Sequence, residues 1–281
     1  VLWVWFASAL SLSVDYPNFF LMLPVGVWAL SHMVWVSYGE SKTQLHISFK
    51  NILTLGGALI PLLFFLWFNF ASTGNPLQLA GTLKRVEALD AAGKPTQPQL
   101  AEVMGPVIPG PIREKTAVGF FKTRNLLNGF YVHFVSADRG MIFFTPLMLF
   151  GALGFYYLFK KNQHIANVLL GIVGLDILLY SLWGDPYGGW AFGSRYLIPA
   201  YAIFGITLAL LVSAWRKNYI LLCVPLLLFV WSAWIGTLGA VTSSRNPPQI
   251  EVLSLEKLSG KEEKYSYDRN QQYLESNHSK S

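Results

Sequence analysis

Residues 176–199 read DILLYSLWGDPYGGWAFGSRYLIP. Two hydrophobic runs, 165–183 and 196–215, meet there, and acids, an arginine, aromatic-glycine pairs and two prolines crowd the connection between them. About 20 helical residues at 1.5 Å each cover a hydrocarbon core of roughly 30 Å, so each run is long enough to cross a bilayer. The flanking chain repeats the pattern. Of 281 residues, 53% are hydrophobic and only 13% charged, far too apolar for an ordinary soluble domain. The expected fold is all-α: a polytopic helical membrane protein with about seven transmembrane helices, the first of them truncated, and a large extracytoplasmic loop.

The remaining runs fall at 1–14, 18–38, 52–71, 141–159 and 219–240, with Pro24 and Pro61 inside the second and third. Pro61 is expected to kink its helix. Residues 1–71 thus hold the first three spans, 72–140 a polar loop, 141–240 the last four spans, and 241–281 a polar tail. The loop is too long for a plain connector and should carry interfacial helices, one of them over 120–135. The tail should be solvated or weakly helical. The chain opens on Val1, and its first run would reach only about 21 Å as a helix, so a fragment lacking its N-terminal part is expected.

Net charge is +6, yet the basic residues sit beside spans, which favours lipid headgroups over nucleic acid as the partner. Cys223 lies in an apolar tract and reads as a packed residue. The histidines at 32, 46, 133, 164 and 278 show no ligand spacing, so neither metal nor cofactor is expected; His133 reads as interfacial. One set of short loops carries Lys42, Lys50, Lys160, Lys161, Arg216 and Lys217, and the opposing set only Arg195. Positive charge collects in the cytoplasm, which predicts an extracytoplasmic position for Asp15, 72–140, 184–195 and 241–281.

Candidate chemistry gathers on that face. Asp176, Tyr180 and Trp183 share a helix side at i, i+4 and i+7, either lining an outward cavity or hydrogen-bonding a neighbouring helix. Arg195 offers a planar fork that matches phosphate at a helix start, or else pairs with Asp185 or Asp138. Asp138 could accept a proton from an acceptor hydroxyl, or cap the helix beginning near Met141; Arg139 beside it could hold an anionic leaving group. Trp183, Tyr187, Trp190 and Tyr196 suit either an aromatic belt or a stacking surface.

SADRGMIFFTPLML at 136–149 and WGDPYGGWAFGSRYLIPA at 183–200 resemble, as a pair, the C-terminal half of bacterial polytopic glycosyltransferases of the GT-C superfamily. Asp15-Tyr16-Pro17 and Gly74-Asn75-Pro76-Leu77 resemble lesser landmarks of that group. The resemblance spans most of residues 10–215, and its Trp-to-Pro element is the more specific. Ala137 and Ser194 stand where those relatives tend to have proline. It implies a plasma (inner) membrane enzyme that transfers a sugar from a polyprenyl-phosphate-linked donor to a glycan, lipid or protein acceptor on the extracytoplasmic face. Arg195 and Arg139 would bind the donor phosphate, Asp138, Asp185 and Asp176 would serve the acceptor side, and the four aromatics would stack on substrate. The catalytic acid of such enzymes would lie upstream of Val1. A transporter or flippase of lipid-linked sugars, or a non-catalytic envelope-assembly protein, remain alternatives.

Overall fold

Among the described residues four helical runs are long and apolar enough to cross a membrane: Phe49–Thr73, Gln163–Ser181, Arg195–Trp215 and Tyr219–Val241. They belong to a computed structural model that describes residues 1–38, 43–78, 118–243, 245–260 and 266–276. The chain is mostly helical, as its composition predicts for a membrane protein. In order come α1 (Leu2–Val14), α2 (Asn18–Leu21), α3 (Leu23–Ser31), β1 (Val34–Tyr38), β2 (Thr43–Ile47), α4 (Phe49–Ile52) and α5 (Leu59–Thr73). Then follow α6 (Leu126–Phe134), α7 (Met141–Phe144), α8 (Leu147–Lys161), α9 (Gln163–Ser181), α10 (Ile198–Trp215), α11 (Tyr219–Val241), α12 (Gln249–Ser259) and α13 (Ser266–Glu275). Most of the expected 72–140 loop, residues 79–117, and Lys42 lie outside the described residues.

The chain divides into two compact units, one of residues 2–16 and 55–120, the other of residue 1, 17–54 and 121–281. In the first, α1 packs on α5, and Ser13 Oγ donates to the Pro61 carbonyl at 3.3 Å. Pro61 occupies the first turn of α5, immediately after the 3-10 stretch Leu53–Ala58 that interrupts the longer run, where a missing N–H costs little.

In the second unit the expected span over 18–38 is overturned. The helix stops at Ser31, and Val34–Tyr38 pairs antiparallel with Thr43–Ile47, Val34 facing Ile47 and Tyr38 facing Thr43. Val-Trp-Val-Ser-Tyr is apolar enough for a span, but its β-branched and aromatic residues fit a pleated ladder better. The expected span over 141–159 is likewise interrupted. Pro146 cannot continue the α7 ladder, Thr145 leaves helical geometry, and α8 restarts as a 15-residue helix.

The core of this unit is the contact of α8, α9 and α10. Glycines on α8 let α10 approach backbone to backbone: Cβ atoms at Gly151 and Gly154 would meet Phe204 Cβ at 2.5 Å and Thr207 O at 2.0 Å. Thr207 Oγ1 donates to the Gly151 carbonyl at 2.6 Å across the seam, the small-residue packing that helices use where lipid offers no hydrophobic drive.

The tail also departs from expectation. It forms α12 and α13, and α13 packs on α11 through buried amides as well as the edge-on contact of Tyr267 with Trp231 at 6.2 Å. Buried Asn270 donates through Nδ2 to Thr242 Oγ1 at 2.8 Å and to the Ser243 carbonyl at 2.5 Å. Asn246 Nδ2 donates to Asn270 Oδ1 at 2.7 Å and to the Ser266 carbonyl at 2.9 Å. Ser266 Oγ reaches the Ala137 carbonyl at 2.7 Å, anchoring the tail beside the 136–140 turn. Polar composition here signals a wired contact instead of a solvated end. Asn270→Ala should take their donor from Thr242 Oγ1 and the Ser243 carbonyl and one acceptor from Asn246, and lower stability by about 1–3 kcal/mol, read as a reduced melting temperature in detergent.

Candidate functional site

After α9 the chain turns sharply. Gly188 and Gly189 adopt φ of +71° and +65°, which side chains resist, and Asp185 fixes the turn by accepting from Tyr187 N at 3.1 Å and Gly189 N at 3.0 Å. The turn aims the Tyr187 and Gly189 carbonyls at Arg139, whose Nη1 donates to both, the second at 2.8 Å. Arg139 Nε donates to Asp138 Oδ2 at 3.1 Å, and its guanidinium lies 5.6 Å from the Tyr187 ring centre. Both charged residues are buried, Arg139 wholly so.

This geometry bears on three expectations. Arg139 is enclosed and spent on holding the loop, so it does not face a ligand as a phosphate clamp. Asp138 is not the cap of α7, whose N-cap Gly140 receives no side-chain bond; it accepts instead from Gln249 N at 3.3 Å, at the first turn of α12. Asp185 is exposed, but its two carboxylate oxygens shape the turn.

Asp176 is fully buried in α9 and takes the second of its two sequence readings. Its Oδ2 accepts from Ala200 N at 3.3 Å. Ala200 is in the first turn of α10, where backbone N–H groups have no intrahelical acceptor and Pro199 supplies none, so a carboxylate from the neighbouring helix completes the cap. The face of Asp176, Tyr180 and Trp183 is thus packed inward. Tyr180 stacks on Tyr196 at 4.3 Å and 8°, and Trp183 meets Phe121 edge-on at 5.4 Å.

The aromatics proposed for stacking are therefore engaged with protein. Tyr196 lies against Tyr180, Tyr187 under Arg139, and Trp183 against Phe121, while Trp190, 53% exposed, donates through Nε1 to Glu251 of α12 at 2.6 Å. Of the four, Trp190 keeps the most open ring.

Arg195 stands apart. It is exposed, its guanidinium carbon lies 5.3 Å from the adjacent Tyr196 ring centre, and among the described residues no carboxylate pairs with it. It borders a cavity of about 190 Å³ walled by Phe144, Phe192, Ile198 and Ile235, with Thr145, Tyr201, Ser194 and Ser232 as its polar groups. A second, almost wholly apolar groove of about 320 Å³ is lined by Leu147, Leu208, Val212, Leu222, Pro225, Leu226 and Phe229. Leu208 follows Tyr201 by seven residues on α10, and Pro225 precedes Ser232 by seven on α11. Seven residues return to the same helix side about 10 Å along, so the groove continues the faces that border the cavity.

One pair of residues escaped the sequence reading. His133, expected at an interface, is fully buried, and its Nδ1 lies 2.8 Å from Ser194 Oγ. The only hint was Gly129 one turn earlier on α6.

Comparison with protein-family models, with curated proteins and with solved structures returns no match for this chain. Among the described residues no cluster of three or more His, Cys, Asp or Glu side chains could hold a metal ion.

Proposed function

We propose that this chain belongs to a membrane glycosyltransferase of the GT-C type, transferring a sugar from a polyprenyl-phosphate donor to a glycan, lipid or protein hydroxyl on the extracytoplasmic face of the plasma membrane. The observation that carries this reading is Arg195: an exposed guanidinium without a carboxylate partner among the described residues, at the edge of a mixed polar and apolar cavity. A phosphate fits its planar fork, and the apolar groove along the same helix faces suits a prenyl chain. The motif around Arg195 is also the part of the sequence that most resembles the superfamily.

The chemistry would be displacement at the anomeric carbon. The acceptor oxygen bonds to that carbon, the carbon–oxygen bond to phosphate breaks, and the electron pair leaves on a phosphate oxygen beside Arg195. A fixed cation stabilises that charge more in the transition state than in the bound donor.

The test is transfer from labelled polyprenyl-phosphate sugars by the full-length protein in liposomes. Arg195→Ala should lower transfer by about 10²- to 10³-fold and weaken donor binding, with Arg195→Lys intermediate. Unchanged binding and transfer in Arg195→Ala would remove the assignment, and cysteine labelling that placed residues 185–195 in the cytosol would remove the sidedness.

A further inference from the structure

The buried pair His133 and Ser194 is not explained by packing alone. Helix α6 sits unusually close to the end of α9, because a Cβ on Gly129 would meet the Ser181 carbonyl oxygen at 2.3 Å. His133 follows Gly129 by four residues, so the same close approach carries its ring into the protein. There Nδ1 meets Ser194 Oγ at 2.8 Å, and the Tyr196 ring stands edge-on at 6.2 Å. The Tyr180 backbone lies beside the imidazole and favours a proton on the ring, while Nε2 has no side-chain partner. Ser194 in turn borders the cavity next to Arg195.

Burial pushes the imidazole below its ordinary pKa; the Tyr180 backbone opposes that shift, and the Arg139 charge reinforces it. At neutral pH the ring is therefore uncharged, and the tautomer that leaves Nδ1 bare can accept the Ser194 proton. A hydroxyl bonded to a neutral imidazole, beside an anion-binding arginine, is the arrangement of an activated hydroxyl.

We propose that Ser194 and His133 form the proton-accepting pair of this site. The proposal rests on the transfer reading for its substrate and gives this pair the proton-accepting role in place of the upstream acid that the resemblance implies: the acceptor hydroxyl gives its proton to Ser194 Oγ as Ser194 gives its own to His133 Nδ1. The freed electron pair forms the bond to the anomeric carbon while the phosphate departs toward Arg195. Ser194 touches the acceptor; His133 acts through it and is a positioning and proton-holding residue.

A probe that needs no sugar donor tests the pair directly. With diisopropyl fluorophosphate and the full chain in liposomes, the Ser194 Oγ–phosphorus bond should form, fluoride should leave, and the serine proton should pass to His133. Mass spectrometry should find the adduct on Ser194 and not on Ser232, which borders the same cavity. His133→Asn keeps a polar partner for the hydroxyl but no base, and should slow labelling about 10²- to 10⁴-fold. The wild-type rate should fall on acidification as the imidazole charges, and this dependence should vanish in the variant. Labelling of Ser194 no faster than Ser232, or equal in His133→Asn and wild type, overturns the pair. In the transfer assay Ser194→Ala should lose turnover while still binding donor. Wild-type turnover in Ser194→Ala would overturn the relay with the donor reading intact, whereas a wild type that labels at Ser194 but transfers no sugar would overturn the acceptor role together with the donor reading.

Discussion

Arg139→Met should loosen the 185–193 turn and lower stability by about 3–5 kcal/mol, because it leaves Asp138 as a buried carboxylate without its counter-charge. The same change frees the Tyr187 and Gly189 carbonyls and withdraws the group that aligns them. Thermal unfolding in detergent reads the loss, and limited proteolysis should find new cleavage within 185–193. The double variant Asp138→Asn with Arg139→Met should recover part of it, since neither charge then remains unpaired, and the two sites are close enough to couple. If the single variant melted like wild type, Arg139 would not be the latch described above. Because Asp138 also accepts from Gln249 N, the single variant should loosen the attachment of α12 as well.

Gly154→Val should be comparably damaging for a different reason. Its Cβ alone would stand 2.0 Å from Thr207 O and 2.4 Å from Thr207 C, both backbone atoms that cannot swing aside. The seam between α8 and α10 must open, at a cost of about 1–3 kcal/mol or more, and the Thr207 bond to the Gly151 carbonyl breaks with it. Gly174→Ala on α9 and Gly205→Ala on α10 are the matched controls, since nothing lies within 4 Å of either added Cβ. Alanine is the better helix former by about 1 kcal/mol, so these two should melt at or slightly above wild type. A Gly154→Val protein that melted with the controls would show that the helices are not in backbone contact.

What could be read from the sequence follows the length of its uninterrupted apolar runs. Residues 165–183, 196–215 and 219–240 have no competing local solution, and each became a helix within a residue or two of its expected limits. Residues 34–38 did have one: hydropathy alone does not separate a span from a ladder when Val, Trp and Tyr supply it, and the partner strand hid inside a loop that looked merely polar. At 145–146 a single proline beside a threonine divided one run into two helices.

The site was legible as a place but not as a set of roles. Glycines, aromatics and Pro186 at 183–196 announced a constrained turn, and the turn is there. The partners were not announced, because they lie far off in the chain: Asp138 with Gln249, His133 with Ser194, Trp190 with Glu251. Asp176 shows the limit most plainly, since its partner is a backbone N–H and leaves no side-chain signature. Arg195, by contrast, was singled out as the basic residue of the opposing short loops, and it is exposed at the edge of the cavity.

The brevity of α8 bears on how a lipid substrate would arrive. Its 15 residues reach about 22 Å, against a hydrocarbon thickness near 30 Å, and it runs beside α10, a helix long enough to cross. Its missing turns fall at the Thr145–Pro146 end, where the cavity begins. In a bilayer of that thickness, acyl chains flanking α8 would have to thin locally or draw Lys160 and Lys161 along the surface to meet their headgroups. Were α8 embedded beside α10, hydrophobic mismatch would dimple the leaflet next to the cavity, and the chain length of the host lipids would become a dial on how readily a long-tailed molecule slides in sideways.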